Sequence, residues 1–328
     1  MHTPAIAVVI PAYNAGRFIN DAIDSTRAQT TSQWECVIVD DGSTDETPSR
    51  LAAYRDPRIR WVRQDNYGDR AARARGVALT RAPKIVFLDA DDRLYPDALA
   101  QWVSFLDNHV ATGVAYGERT LINEEGNTFG LEWRAILNKH PQGDVLESII
   151  RRPFLSTPSQ ACLRREAVPP AEWLGDRGGC YGDWLLLAGA AINHKFAYIG
   201  RAPVVKYRVR RSSLLRSIAS DPRSAASIQE FIEFFRRLFS FPGMESRFGA
   251  AKLADLRRAA EASCFAIKGQ EFLRRNELGA ARRHFSAALR SGSRDIRDLL
   301  CWVATFSPAL LRWTGPLFGA IDPHSKRV

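Results

Sequence analysis

Apolar residues in the first ninety positions come in short blocks, each ending on polar or acidic residues. Ala5–Pro11 is too short for a helix, rich in Val and Ile and closed by proline, which predicts a strand buried on both faces. Phe18, Ile19, Ala22, Ile23 and Thr26 then share one helical face. Cys36–Val39 predicts a second buried strand running into Asp40 and Asp41, and Ser43 or Thr44 is placed to cap a helix towards Tyr54. Ile59–Val62 gives a third strand, Asp69–Thr80 an alanine-rich helix, and Ile85–Leu88 a fourth strand ending at Asp89. Four alternations of strand and helix predict an α/β core: a Rossmann-like, mostly parallel sheet with helices on both faces.

Residues 110–210 are less regular, with short strand-like runs at Ala161–Leu163, Phe196–Ile199 and Val204–Tyr207. From about Ser220 the pattern turns helical, with Ile228, Phe231, Ile232, Phe235 and Leu238 forming one apolar stripe. Phe265, Gly269, Phe272, Ala281, Phe285 and Ala288 are spaced like one tetratricopeptide hairpin, packed on the main domain or on a partner, because a single unit builds no solenoid. The expected division is a first domain over residues 1–215, with halves 1–120 and 121–215, and a basic helical region over 216–328.

Charge sharpens this division. The chain carries +10 overall, but residues 1–200 hold 22 Lys+Arg against 25 Asp+Glu, and residues 201–328 hold 24 against 11. An excess confined to one segment points to a local polyanion such as phosphate or a lipid surface. Nucleic acid is set aside, because no zinc-finger spacing, RNP-like aromatic run or basic-region heptad occurs. The five cysteines include no CxxC pair and read as buried thiols of a reducing compartment, with no disulfide-linked partner. The N-terminus has no basic leader and reads as a first strand, not a signal peptide.

In open parallel sheets ligands bind beyond the carboxyl ends of the strands, which is where the polar residues fall here. In LDADD, Leu88–Asp92, Asp89 and Asp91 are two apart, so on an extended backbone both carboxylates face one cation. Oxygen-only ligands suit Mg²⁺ or Mn²⁺ shared with substrate phosphates, while the plainer reading is a solvated acidic turn before the helix near Pro96. VDDGSTD, Val39–Asp45, is a second acidic turn built from ordinary turn residues. Tyr13 reads as a surface aromatic or a stacking platform, and Arg73 as a solvated charge or a diphosphate contact.

Together these pieces carry more than each alone. VVIPAYNAGRFINDAIDS, WECVIVDDGSTDET, DNYGDRAARARG and KIVFLDADDRLYPDAL, continuing through YGDWLLLAGA to PVVKYRVRRSSL, resemble the family 2 glycosyltransferases over roughly residues 5–215. The resemblance implies the GT-A fold and an inverting, sugar-nucleotide-dependent hexosyl transfer. It places Tyr13 against the donor base and Asp41 on its polar edge with Asp40 nearby, and puts Pro11 and Ala90 among the donor contacts. Arg73 would meet donor phosphate, Asp91 would be the principal metal ligand with Asp89 towards the nucleotide sugar, and Mn²⁺ or Mg²⁺ the cofactor. Asp183 holds the position of the catalytic base, where the plainer reading is a helix N-cap before Trp184–Ala191. Arg208 and Arg210 lie in the strand-loop expected to close over the diphosphate.

The resemblance has departures. Gly182-Asp183 stands where Glu-Asp is usual, Gly189 where arginine is frequent, Arg73-Ala74 where Arg-Asn is common, and Arg210 where histidine is frequent. The acceptor it implies is a hydroxyl of a glycan or lipid-linked glycan, with Trp133, Trp173 and Tyr181 as candidates for stacking on a sugar face. A sugar-activating nucleotidyltransferase should carry a glycine-rich, lysine-bearing loop after the first strand, and PAYNAGRF is not one. A non-catalytic binding module would tend to lose the acidic pair or the base. Leu299–Ile321 is apolar with Trp302, Arg312 and Trp313, and is broken by Pro308 and Pro316. It is too interrupted to span a membrane; it suits either an anionic membrane interface on the cytoplasmic face or packing on the helical hairpin.

Overall fold

The computed structural model describes residues 3–131, 140–171, 181–210, 225–274 and 277–306. The chain divides into two compact units, the first made of Met1–Leu131, Lys139–Leu146 and Phe154–Arg210 and the second of the remainder.

The first unit opens with β1 (Ile6–Ala12), α1 (Ile19–Arg27), β2 (Trp34–Asp41), α2 (Thr47–Leu51), β3 (Ile59–Gln64), α3 (Asp69–Leu79) and β4 (Lys84–Phe87). It continues with β5 (Arg93–Leu94), α4 (Ala98–Asn108), β6 (Thr112–Ile122) and β7 (Thr128–Leu131). After α5 (Leu146–Arg151), which from Glu147 on is counted with the second unit, come β8 (Ala161–Arg164), α6 (Gly182–Asn193) and β9 (Lys195–Arg208). The strands form one sheet in the order β3-β2-β1-β4-β8-β6-β9-β5, with β7 on β6. Strands β1 to β4 pair in parallel, β8 enters antiparallel beside β4, and β6 and β9 return to the first direction.

Burial on both faces follows from the Val/Ile runs. Ile6, Val8 and Ile10 join α1 and α4 in one core with the fully buried Trp102, while Val37 and Val39 pack against Ala72 of α3. The register Val9↔Phe87 and Ala12↔Asp40 brings the carboxyl ends of β1, β2 and β4 to one edge.

Three local expectations change. Helix α2 runs only from Thr47 to Leu51 with Glu46 at its N-cap, so Ser43 and Thr44 lie upstream of the capping position; Ser43 Oγ accepts from the Asn14 amide and the Thr44 amide donates to Asn14 Oδ1. The runs Phe196–Ile199 and Val204–Tyr207 are one strand, β9, whose middle (Gly200 to Pro203) is accommodated by register shifts against β6. The acidic segment after β4 is not extended: the Asp92 amide donates to the Asp89 carbonyl, 2.9 Å, so residues 89–92 form a turn.

The second unit contains α7 (Ala225–Phe239), α8 (Met244–Arg274, broken at Gly249), α9 (Leu278–Arg290) and α10 (Ile296–Ala304). Helices α8 and α9 form the expected hairpin. A Cβ on Gly269 would lie 3.0 Å from the Phe285 ring, so glycine is what lets Phe285 seat with Phe272 and Ala281. The α7 stripe holds at Leu238, which is buried, but Ile232 is exposed and Phe234, outside the stripe, is buried instead. Trp302 packs on this hairpin and donates to Ser286, 2.8 Å. Among the described residues no helix is long and apolar enough to cross a membrane. Trp133, Trp173, Arg312 and Trp313 lie outside the described residues.

Candidate active site

Two loops at the sheet edge are laced together by side chains. The amide of Asn14, which adopts φ 46°, donates to Ser43 Oγ, and the Thr44 amide donates back to Asn14 Oδ1. Ala15 and Gly16 amides donate to Thr47 Oγ1 and Asp45 Oδ2, and Asp45 Oδ1 accepts from the Thr47 amide and hydroxyl. Burial pushes the Asp45 carboxyl up, but the bonds from Thr47 and Gly16 outweigh it and hold it below the usual range. This lacing presents Tyr13 to solvent, 52% exposed, beside the half-buried Pro11.

The acidic pair ending β2 turns inward. Asp40 is fully buried, accepts from the Ser43 amide and pairs with Arg63. Asp41 accepts from Gln64 and the Tyr67 amide on Oδ1, and from the Gly68 amide on Oδ2 at 2.7 Å. At 2% exposure its carboxylate fastens the entry to α3.

Arg73, on α3, is the hub of the site. It is 4% exposed and meets Asp183 at 2.7 Å, Asp89 at 3.0 Å and Asp69 at 3.0 Å. Burial alone would lower its pKa; Asp183, Asp69 and Asp89 reverse this and fix it as a cation. The guanidinium anticipated on donor phosphate is thus engaged by three carboxylates, bridging the end of β4 to the start of α6. Asp89 is held on its other oxygen by Thr157, 2.8 Å, and its amide donates to Ser159.

Asp183 lies inside the first turn of α6, where Tyr181 is the N-cap, so it bonds to Arg73 and makes no capping bond. Desolvation pushes its carboxyl up to about 7, with Asp89 and Asp69 adding to the rise and Arg73 opposing it. Its side chain is still 40% exposed, and solvent screening trims that rise. Gly182 fits because a Cβ there would press on the Arg70 stem at 3.1 Å.

Arg208 departs most from expectation. Its side chain is fully buried; Nε donates to the Asp91 carbonyl, Nη1 to the carbonyls of Asn123 and Glu124, and Nη2 to Asp21. It buttresses the acidic turn from behind and turns no donor towards a diphosphate. Arg210, 31% exposed, instead reaches round to Asp91, Nε to Oδ2 at 2.5 Å.

Asp91, 18% exposed, is raised by desolvation and by Asp89, against the pull of Arg210. Ala90 between the two acids is half-buried on the core. No cluster of three His, Cys, Asp or Glu able to hold a metal occurs among the described residues. The partly exposed Asp91 beside Asp89 is the pair that would hold Mg²⁺ or Mn²⁺, ions that commonly take one or two carboxylates and keep other ligands.

Sequence reasoning missed Asp92, which is fully buried and accepts from the Arg208 amide, 2.9 Å. It also missed Thr157 and Ser159. The one available signal was Ser-Thr-Pro-Ser at residues 156–159, a hydroxyl-cap pattern, and Thr157 does cap the short 3₁₀ turn that follows.

A parallel half-sheet whose acidic strand ends meet a helix-borne carboxylate is the arrangement of a GT-A glycosyltransferase. Residues 7–168 match Glycosyl transferase family 2. That stretch carries the family's domain, and the chain, whose relatives include named glycosyltransferases, is a glycosyltransferase. It is 28% identical over 297 residues to the succinoglycan biosynthesis protein ExoO of Rhizobium meliloti (strain 1021), covering 84% of this chain and 80% of that protein. A chondroitin synthase of Escherichia coli is 34% identical over 134 residues, but the match spans 40% of this chain and only 20% of the synthase. The crystal structure of S. aureus TarS 1–349 in complex with UDP-GlcNAc shares the fold, with TM-score 0.51 at 16% identity over 91% of this chain and 90% of that one.

Proposed function

We propose that the first unit is an inverting transferase that moves a sugar from a nucleoside-diphosphate donor to a hydroxyl of a glycan or lipid-linked glycan, in cell-surface polysaccharide synthesis. The observation carrying this reading is the Arg73 cluster, which gathers Asp89 from the donor edge and Asp183 from the facing helix on one guanidinium. Sugar transfer needs a base beside a diphosphate site, and a single arginine spans both.

Asp183, ionised and aimed by Arg73, accepts the proton of the acceptor hydroxyl as that oxygen attacks the anomeric carbon. The bond from that carbon to the diphosphate breaks on the opposite side, the leaving phosphate oxygen takes the electron pair, and one displacement inverts the centre. Tyr13 stacks on the donor base at the mouth of the site, while Asp41 and Asp40 hold the loops that frame it. Asp91, with Asp89 alongside, would hold Mn²⁺ or Mg²⁺, which would supply positive charge against the departing diphosphate. The relatives' polysaccharide chemistry and the UDP-GlcNAc in the TarS structure support starting a donor screen with UDP sugars.

Asp183→Asn keeps the side chain's shape while removing the proton acceptor, so UDP-sugar binding should persist and transfer should fall by about 10²–10⁴. Transfer at the wild-type rate would place the base elsewhere. Attachment of the basic second unit to the cytoplasmic face of an anionic membrane is the accompanying proposal. It is supported by the +13 carried by residues 201–328 and by exposed Leu299, Leu300, Val303 and Phe306 along α10. Full-length protein should float with anionic vesicles at low salt and a chain ending near Ser293 should float less; equal flotation would rule out this segment as the anchor.

A further inference from the structure

Arg208 is the last residue of β9 and Arg210 lies two residues beyond it, and the two are held very differently. Arg208 is fully buried and locked by three carbonyls and Asp21, so it cannot swing out without breaking the turn it supports. Arg210 is part-exposed, lies 5.8 Å from the Phe18 ring, and is held to the site by one 2.5 Å contact with Asp91. Asp89 already has one oxygen on Arg73 and the other on Thr157, so Asp91 is the carboxylate left to engage an added cation. Because Arg208 grips the Asp91 carbonyl, the turn is fixed and Arg210 is the partner free to move.

We propose that Arg210 and the divalent cation compete for the Asp91 carboxylate, and that a bound nucleoside diphosphate ends the competition by drawing Arg210 onto its phosphates. This rests on the donor-site reading above. A guanidinium has five donors and no acceptor, so it cannot ligate a metal and can only oppose one at a shared carboxylate. With no anion between them, the two positive charges repel at short range. A diphosphate supplies that anion and offers the guanidinium the two-pronged acceptor geometry it favours. Donor and metal therefore bind with positive coupling, and the empty enzyme keeps its acidic turn neutralised internally.

The test measures Mn²⁺ affinity by electron paramagnetic resonance of free Mn²⁺, with full-length wild type, Arg210→Gln, Arg210→Lys and Asp91→Asn, with and without saturating UDP. Without UDP, Arg210→Gln should bind Mn²⁺ about 5- to 50-fold more tightly than wild type, within the usual range of site-to-site coupling. UDP should strengthen Mn²⁺ binding more in wild type than in Arg210→Gln, and Arg210→Lys should fall nearer wild type. Arg210 is surface-accessible, and unchanged melting temperatures would confirm that the variants fold. If Asp91→Asn loses Mn²⁺ while Arg210→Gln binds it no more tightly than wild type, the competition is refuted and the metal assignment stands. If no protein binds Mn²⁺ even with UDP, both are refuted.

Discussion

Replacing Arg208 by methionine separates the two roles this arginine could have. The substitution keeps the apolar stem over Phe18 and removes only the guanidinium, which lies 4.7 Å from that ring. Three carbonyl oxygens, of Asp91, Asn123 and Glu124, lose their donor. Asp21 does not become a stranded charge, because Arg93 pairs with the same oxygen. The penalty is therefore smaller than the ~3–5 kcal/mol typical of breaking a fully buried ion pair. Three unsatisfied carbonyls at about 1 kcal/mol each give roughly 3 kcal/mol. Part of that returns because a desolvated cation has been removed, the same desolvation that lowers the Arg208 pKa against the pull of Asp21. A net loss of about 2–3 kcal/mol, with a urea slope of about 1–3 kcal/mol per molar, moves the unfolding midpoint down by about 1 M. Urea titration followed by tryptophan fluorescence measures this, and UDP titration of the folded variant measures the other role. A variant of unchanged midpoint that binds UDP tenfold more weakly would refute the buttress and restore Arg208 as a phosphate ligand.

The raised pKa of Asp183 gives the catalytic reading a pH signature: with its rise to about 7 trimmed by exposure, the base protonates as pH falls through a value between the ordinary carboxylate range and about 7. Steady-state kcat/KM should therefore fall as pH drops through that value, and a profile flat across it would exclude Asp183 as the base. In the second unit, Phe285→Ala empties a fully buried position facing Gly269 and Phe272 and should cost about 3–5 kcal/mol. Hydrogen exchange should show α8 and α9 losing protection together; protection unchanged in both would mean that the hairpin does not depend on this ring.

The core was legible because short Val/Ile blocks ending on polar residues leave little choice: Ile6–Ala12 and Lys84–Phe87 are too short and too apolar to be anything but buried strands. The hairpin of α8 and α9 was legible from the spacing of Phe265, Gly269, Phe272, Ala281, Phe285 and Ala288, and the structure adds that Gly269 makes room for the Phe285 ring. In helix α7 Leu238 is buried as the stripe required, but Ile232 is exposed and Phe234, outside the stripe, is buried, because only tertiary packing chooses among neighbouring apolar positions. β9 was read as two strands because Gly200 to Pro203 looks like a turn when the partner strand is unknown.

The acidic residues show where reading a sequence stops. Asp89, Asp91 and Asp92 sit within four positions, and an extended backbone would have aimed the first two at one point. The turn sends them three ways, to Arg73 and Thr157, to Arg210, and to the Arg208 amide. Their partners come from residues 68 to 119 positions away in the chain, or 16 in the case of Arg73, and no local pattern announces such pairings. What the motif conveys is the presence of charge at a strand end. Which carboxylate is structural and which is open is decided by where the arginines fall. The same holds for Arg208 and Arg210, which the resemblance placed together in a strand-loop closing over the diphosphate. Burial made the first a buttress, and exposure left the second as the arginine able to change partners.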